Sequence, residues 1–193
     1  RVDDADLSTI FYYNIGMSSL LYLILFIAAP WIADYFRNPI LVSVLRVISL
    51  SVVINSLYGI QAILVWRQME FRKDMLIQLA SGVLSGLTGI VMAYFGFGYW
   101  SLVGMGLANS IVRLIGYWCS SPWRPKLIFS MEKLKLHFGY GSRMVGAGLL
   151  LTLYNNLMTI IIGRSFSMGT LGLYGNANAL YLVPVSILAD PIN

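Results

Sequence analysis

The sequence predicts an all-α integral membrane protein, and three observations support that fold class. First, 58% of the 193 residues are hydrophobic and 11% are charged, whereas ordinary soluble domains are roughly 25% charged. Second, the chain contains long runs without charged residues or His, and a helix that spans a bilayer needs about 20 such residues. Third, all five tryptophans fall at the ends of those runs, where the amphipathic indole favours the membrane interface: Trp31, Trp66, Trp100, Trp118 and Trp123.

Six spans follow in chain order from the segments that separate the apolar runs. "DYFRNP" separates the first span from the second, and "WRQMEFRKD" separates the second from the third. The uncharged run 75–112 is too long for one span, so we divide it at "FGFG", whose paired glycines allow a tight turn. A basic segment, 122–142, follows the fourth span, and "GRSFSMG" separates the last two. Runs this long and unalternating do not fit a closed barrel, so all six are predicted to be helices: 9–33, 40–66, 75–95, 99–121, 143–163 and 169–190.

The basic residues of the connecting segments predict the orientation. The segments after spans two and four carry three and five Lys or Arg, whereas the three opposite segments carry one, none and one. Because positive residues are retained on the cytoplasmic side, the basic segments and both ends of this chain are predicted to be cytoplasmic. The net charge of +5 then indicates orientation and attraction to anionic lipid head groups, and no nucleic-acid partner is expected.

The segment 122–142 is the longest polar stretch, and we expect it to separate two helical bundles. Within it, "FSMEKLKLHF" is interpreted either as a short helix on the cytoplasmic membrane surface, with Ser130 as N-cap, or as an ordinary linker. Cys119 has no partner for an internal disulfide, and His137 has no ligand at metal spacing, so neither a metal nor a cofactor is expected. The chain starts without Met and stops directly after a span, so we expect it to be part of a longer protein.

Four ordered segments resemble the Wzx-type polysaccharide exporters (O-antigen flippases) of the multidrug/oligosaccharidyl-lipid/polysaccharide superfamily. They are "LVWRQMEFRKD", "AYFGFGYWSLV", "SPWRPKLIFS" and "NNLMTIIIGRSFSMGTLGLYGNANAL", and the resemblance covers the whole chain. It implies that the six spans are helices three to eight of a two-lobed bundle of twelve or more. Residues 1–121 would be the later part of the N-terminal lobe, 122–142 a cytoplasmic inter-lobe linker, and 143–193 the start of the C-terminal lobe.

The resemblance also implies a function. The protein would flip undecaprenyl-diphosphate-linked oligosaccharide units across the bacterial inner membrane by alternating access, for surface or exopolysaccharide synthesis. Membrane lipids, a glycan polymerase and other polysaccharide-assembly proteins would be its partners, and no catalytic residue is expected. An ion-coupled multidrug antiporter is the first alternative, but no Asp or Glu stands in the middle of a predicted span. A membrane-embedded glycan polymerase is the second, and it would need a larger outward loop than any predicted here.

Arg113 is a charged residue inside the fourth predicted span. A lipid-facing arginine costs at least ~2.5 kcal/mol at the membrane centre, so such residues normally face a cavity or a partner. One interpretation is that Arg113 lines a lumen and attracts the substrate diphosphate, beside Asn109 and Tyr117. The other is that it extends to the cytoplasmic head groups about two turns away. At about 100° per residue, the face that it occupies contains Leu102, Gly106, Asn109, Arg113, Gly116, Tyr117 and Ser120.

Four further polar residues are candidates for substrate binding. Arg46, two turns into span two, is interpreted as a lumen residue, a residue that extends outward to head groups, or half of a structural pair. Asn155 lies on a face of small and hydroxyl residues in span five, which indicates either close helix packing or a sugar-binding face. Asn176 and Asn178 in span six leave the same alternatives open, and they stand in a motif where the exporters commonly carry a basic residue.

Overall fold

The structure, a computed structural model, is α-helical in the part of the chain that it describes. It describes the backbone of residues 4–128, 131–166 and 168–189, and the side chains of residues 4–128, 145–166 and 169–181. The chain divides into two compact units, Arg1–Leu136 and His137–Asn193. The helices are α1 (Asp4–Tyr35), α2 (Ile40–Ile48), α3 (Leu50–Arg67), α4 (Phe71–Tyr94), α5 (Trp100–Ser120), α6 (Met131–Ser165) and α7 (Met168–Ala189).

The predicted all-α membrane fold is confirmed. Within the described residues, five helical segments are long and apolar enough to cross a membrane: Asp4–Tyr35, Ile40–Arg67, Phe71–Tyr94, Trp100–Ser120 and Val145–Ser165. They coincide with the first five predicted spans. The sixth corresponds to α7, whose side chains are described as far as residue 181.

The second predicted span, 40–66, consists of two helices, α2 and α3, that meet at Ser49. The Ser49 hydroxyl donates a hydrogen bond to the Arg46 carbonyl at 3.2 Å. A serine hydroxyl that competes for a carbonyl of its own turn commonly bends a helix, which gives a physical reason for the interruption. Sequence periodicity did not indicate it, because the apolar pattern continues across the junction.

Two other helices begin earlier than their predicted spans. α4 begins at Phe71 instead of residue 75, so its first turn includes Asp74. α6 begins at Met131, and its backbone is continuous through the predicted span 143–163. Ser130 and the side chains of 131–144, including His137, lie outside the described residues, so the surface-helix interpretation stays a prediction. The units divide inside the predicted linker, and the assignment of the two lobes also stays a prediction.

Three helices end in the same type of turn, in which one residue adopts a left-handed conformation. The residue that follows then donates its backbone N–H to a carbonyl five positions earlier, as in the Schellman motif. The predicted glycine turn between α4 and α5 is one of these, and its Gly98 also has a positive φ, of 55°. The left-handed residues are Arg37 (φ 53°), Met69 (φ 55°) and Gly96 (φ 80°), and the hydrogen bonds run from Asn38 to Ala33, Glu70 to Val65 and Phe97 to Met92.

The first unit is packed in the manner of a membrane bundle. Small and polar side chains are among its most buried residues, whereas large apolar side chains of α4 point outward and are more than half exposed. Helices in a bilayer associate through small and hydroxyl residues because lipid already solvates the apolar ones. Fully buried examples are Ser8, Thr9, Gln61 and Ser81, and exposed examples are Leu79, Val83, Leu87 and Ile90.

Helix α3 connects the two halves of this unit. Leu7 and Phe11 of α1 pack with Ile60 of α3, and Tyr117 of α5 packs with Val65 of α3 and with Ile77 of α4. α4 and α5 form an antiparallel hairpin, and its interface contains the candidate site.

Candidate functional site

One face of α4 carries a line of polar side chains. Asp74, Gln78, Ser81 and Ser85 follow one another at intervals of four, three and four residues, which places them on the same side of a helix. Asp74, Ser81 and Ser85 are buried although they lie in a membrane-spanning helix. Polar groups at such positions need partners, because an unpaired polar group away from water is costly.

Helix α5 supplies those partners at regular intervals of four residues. The Tyr117 hydroxyl donates to Asp74 Oδ1 at 2.5 Å. One step further, Arg113 Nε donates to Ser81 Oγ at 3.3 Å, and Asn109 Nδ2 donates to Ser85 Oγ at 3.4 Å. The three contacts run in antiparallel order along the two helices. We call the six residues that make them the α4–α5 polar ladder: Asp74, Ser81, Ser85, Asn109, Arg113 and Tyr117.

The Asp74 end of the ladder is the most completely bonded. Gln78 Nε2 donates to Asp74 Oδ2 at 2.7 Å, so both carboxylate oxygens accept a hydrogen bond. The ring of Tyr117 stacks on Tyr58 of α3, with a centroid distance of 5.3 Å and an interplanar angle of 14°. Tyr117 is thus held by α3 and α4 together, and it is buried there.

Arg113 is held more loosely. Its bond to Ser81 is longer than the usual range for N–H···O bonds, which is about 2.7–3.2 Å. Among the described residues, no acceptor bonds its two terminal nitrogens, and no carboxylate lies within ion-pair distance. Half-buried between helices, the guanidinium can therefore still offer directed donors to an anion.

The structure brings together three of the predicted site residues, Asn109, Arg113 and Tyr117. All three share one face of α5, as the periodicity predicted, and in the structure that face contacts α4, where Arg113 bonds a serine. Leu102, at the other end of the predicted face, is exposed instead. Whether these residues bind substrate stays a prediction.

Arg46 lies elsewhere in the first unit. Its guanidinium carbon is 4.3 Å from the centre of the Phe26 ring of α1, in cation–π geometry. Its Nε is buried and has no hydrogen-bond partner among the described residues. This geometry favours the structural pair among the three predicted roles.

The remaining predicted site residues belong to the second unit. Asn155 lies on α6, and Asn176 and Asn178 lie on α7; all three side chains are exposed there. That these three residues contact the sugar of the substrate stays a prediction.

The sequence prediction missed the α4 half of the ladder. Because Asp74 is charged, the sequence prediction assigns it to the end of a loop and begins the third span one residue later. The intervals of four, three and four residues from Asp74 to Ser85 were the available signal, and they match one face of a helix.

The described residues contain no group of three or more His, Cys, Asp or Glu side chains that could hold a metal ion. Cys119 is exposed. The ladder can donate and accept hydrogen bonds and presents one cation, which is a binding chemistry and includes no arrangement of nucleophile and base.

An all-α, multi-pass membrane protein with a polar, cationic contact between two spans is the class that this fold and site define. The chain belongs to the polysaccharide biosynthesis protein family, whose sequence pattern matches residues 1–193. This match confirms the resemblance that the four motifs predicted.

Individual relatives agree with that assignment. The chain is 24% identical over 184 residues to the succinoglycan biosynthesis transport protein ExoT of Rhizobium meliloti (strain 1021), covering 95% of this chain and 37% of the relative. It is 29% identical over 192 residues to the lipopolysaccharide biosynthesis protein WzxC of Escherichia coli (strain K12), covering 95% and 38%. The teichuronic acid biosynthesis protein TuaB of Bacillus subtilis (strain 168) is 26% identical over 189 residues, covering 95% and 39%. The chain thus spans less than two fifths of the length of these relatives, and no solved structure matches it.

Proposed function

We propose that this chain is part of a transporter that moves undecaprenyl-diphosphate-linked oligosaccharide units across the bacterial inner membrane by alternating access. The units would supply surface or exopolysaccharide synthesis, together with a glycan polymerase and other assembly proteins. Residues 1–121 would complete an N-terminal lobe, 122–142 would be the cytoplasmic linker, and 143–193 would begin a C-terminal lobe. Both ends of the chain would be cytoplasmic.

Family membership supports a role in polysaccharide synthesis. The environment of Arg113 is the observation that supports a diphosphate-linked substrate. A diphosphate carries negative charge and oxygen acceptors, and a planar guanidinium donates two parallel hydrogen bonds to such a group. The Arg113 guanidinium donates Nε–H to Ser81, and its terminal nitrogens donate no hydrogen bond within the described part of the chain. Asn109, one turn away on the same face, adds an amide suited to phosphate or sugar oxygens.

A second candidate is an ion-coupled multidrug antiporter, and the buried carboxylate of Asp74 is the observation that favours it. We rank this candidate below the flippase because both Asp74 oxygens already accept hydrogen bonds from neighbouring side chains. The carboxylate also lies in the first turn of α4, away from the middle of the span.

A membrane enzyme is the third candidate, and the short connections of the first unit argue against it. Four residues, 36–39, join α1 to α2, and five, 95–99, join α4 to α5. Such turns leave little room for the acidic or basic side chains that glycosyl-transfer chemistry requires.

The proposal is tested by replacing Arg113 in the full-length protein. Arg113→Lys keeps the charge but loses the planar fork, so export should be partly retained. Arg113→Gln removes the charge, and export should fall by about tenfold to a hundredfold, the value of a charged hydrogen bond. The measurement is surface polysaccharide per unit of membrane-inserted protein, in cells that lack the unmodified protein.

The matched control is Arg72→Gln, which neutralises an exposed arginine in the first turn of α4. It should leave export close to that of the unmodified protein. Normal export by Arg113→Gln at a normal protein level would contradict the proposed role and favour an arginine that merely reaches the head groups.

A further inference from the structure

Among the α5 residues of the α4–α5 polar ladder, Tyr117 makes both a hydrogen bond and a ring contact, whereas Arg113 and Asn109 each make one long hydrogen bond. Its hydroxyl donates to Asp74, its ring stacks on Tyr58, and its neighbour Gly116 lies directly against Ile77. A Cβ at Gly116 would be 2.9 Å from Ile77 Cγ2, so the two helices are as close here as their side chains allow. At this level α5 has little freedom to rotate or to move away from α4.

Arg113 lies four residues before Tyr117, on the same face of the same helix. Residues four apart lie one above the other on a helix, so a contact that fixes the rotation of the helix at one residue also fixes the side of the helix from which the other side chain projects. The bond from Arg113 to Ser81 is long and involves one nitrogen, and it is too weak to set the rotation of α5.

We propose that Asp74 and Tyr117 are positioning residues for Arg113. Their hydrogen bond fixes the rotation of α5 so that the Arg113 guanidinium meets Ser81 through Nε and keeps its terminal nitrogens directed away from the helix contact. Gln78 takes part by holding the second carboxylate oxygen of Asp74. This inference rests on the proposed function, because it assigns Asp74 and Tyr117 a role that they perform through Arg113.

The first experiment measures the position of α5 independently of transport. Paired cysteines at Ser85 and Asn109, the next contact along the ladder, are oxidised in the full-length protein with Arg113 in place. The exposed native Cys119 is replaced by Ala in every variant. A control pair at Ser85 and Ile111 reports the opposite orientation, since Ile111 is exposed on another face of α5.

We expect the 85–109 pair to cross-link and the 85–111 pair to react little. Tyr117→Phe removes the hydroxyl but keeps the ring that stacks on Tyr58, so the fold should be preserved. It should lower the yield of the 85–109 pair by about tenfold to a hundredfold, the effect of losing one hydrogen bond to a charged acceptor. Tyr58→Phe, which removes a hydroxyl that bonds Asn55 outside the ladder, is the control and should leave the yield unchanged.

The second experiment asks whether the effect on export passes through Arg113. Tyr117→Phe should reduce surface polysaccharide per inserted protein when Arg113 is present. The same substitution should have little further effect in the Arg113→Gln background, because the residue that it positions has already been removed. Asp74→Asn keeps an oxygen that accepts from Tyr117, so its effect should be smaller than that of Asp74→Leu.

These outcomes separate this inference from the proposed function. If Arg113→Gln lowers export but Tyr117→Phe changes neither cross-linking nor export, the positioning role is wrong and the function stands. If Tyr117→Phe lowers export equally with and without Arg113, the contact is only structural and the inference is also wrong. If Tyr117→Phe changes the cross-linking yield while Arg113→Gln exports normally, the contact positions the helix, but the substrate-binding role proposed for Arg113 is wrong.

Discussion

At the scale of single residues, the sequence predicted which side chains share the face of Arg113 but not the helix that this face contacts. Helical periodicity shows which side chains share a face, and Asn109, Arg113 and Tyr117 do share one. It contains no information about which neighbouring helix that face contacts, so Ser81 could not be named. Both predicted environments for Arg113, a lumen and the head-group layer, omitted the contact with another span that the structure shows.

Arg46 illustrates the same limit and gives a prediction about stability. Because its guanidinium lies over Phe26, Arg46→Gln and Phe26→Leu should each destabilise the packing of α1 on α2 by about 0.5–2 kcal/mol. The two losses should not add in the double variant, since both remove one contact. The measurement is the thermal unfolding midpoint of detergent-solubilised full-length protein.

Arg46→Lys keeps a cation above the ring, and Phe97→Leu changes an exposed aromatic residue at the α4–α5 turn; both serve as controls. If Arg46→Gln left the midpoint unchanged but abolished export, the structural pair would be the wrong interpretation and a lumen role would be favoured.

At the scale of helices, local features were predicted better than helix boundaries. The turn between α4 and α5 was predicted correctly because positive φ angles are a local demand that glycine meets. The predicted start of α4, residue 75, is too late because the sequence criterion excludes charged residues from the helix. The head-group layer solvates charges, so a helix can begin there with Arg72 and Lys73 exposed in its first turn, while the buried Asp74 is bonded by Tyr117 and Gln78.

The α4–α5 hairpin gives a prediction about close packing. A Cβ at Gly116 would lie 2.9 Å from Ile77 Cγ2, and Ile77 is buried and β-branched, so it has few other rotamers. Gly116→Ala should therefore destabilise the protein by about 1–3 kcal/mol, the usual cost of overpacking. Gly106→Ala is the matched control, because nothing lies within 4 Å of a Cβ at that position in the same helix.

Both substitutions bring the same gain in helix propensity, so the difference between their unfolding midpoints isolates the contact with Ile77. Equal midpoints for the two variants would show that α4 and α5 are farther apart at Gly116 than the structure has them.

At the scale of the whole molecule, composition predicts that the chain lies in a bilayer, and the distribution of charge predicts its orientation there. The fold class followed from the 58% hydrophobic content and from the lengths of the uncharged runs, and the helices confirm it. The fold does not determine the orientation, because the same helices fit a membrane in either direction. Only the eight basic residues of the segments after spans two and four, against two on the opposite side, distinguish the directions.

Cysteine labelling tests that orientation with two residues that differ in their predicted side. Leu127, after α5, is 93% exposed, and Tyr94, at the α4–α5 turn, is 88% exposed, so a cysteine at either position should disturb few contacts. In intact cells, with Cys119 replaced by Ala, a reagent that does not cross the membrane should label position 94 and not position 127. After the cells are opened, both positions should react, which shows that the unlabelled cysteine was protected by its location. Labelling of position 127 in intact cells would show that the predicted orientation is inverted, and Arg113 would then lie near the outer surface instead of the cytoplasmic one.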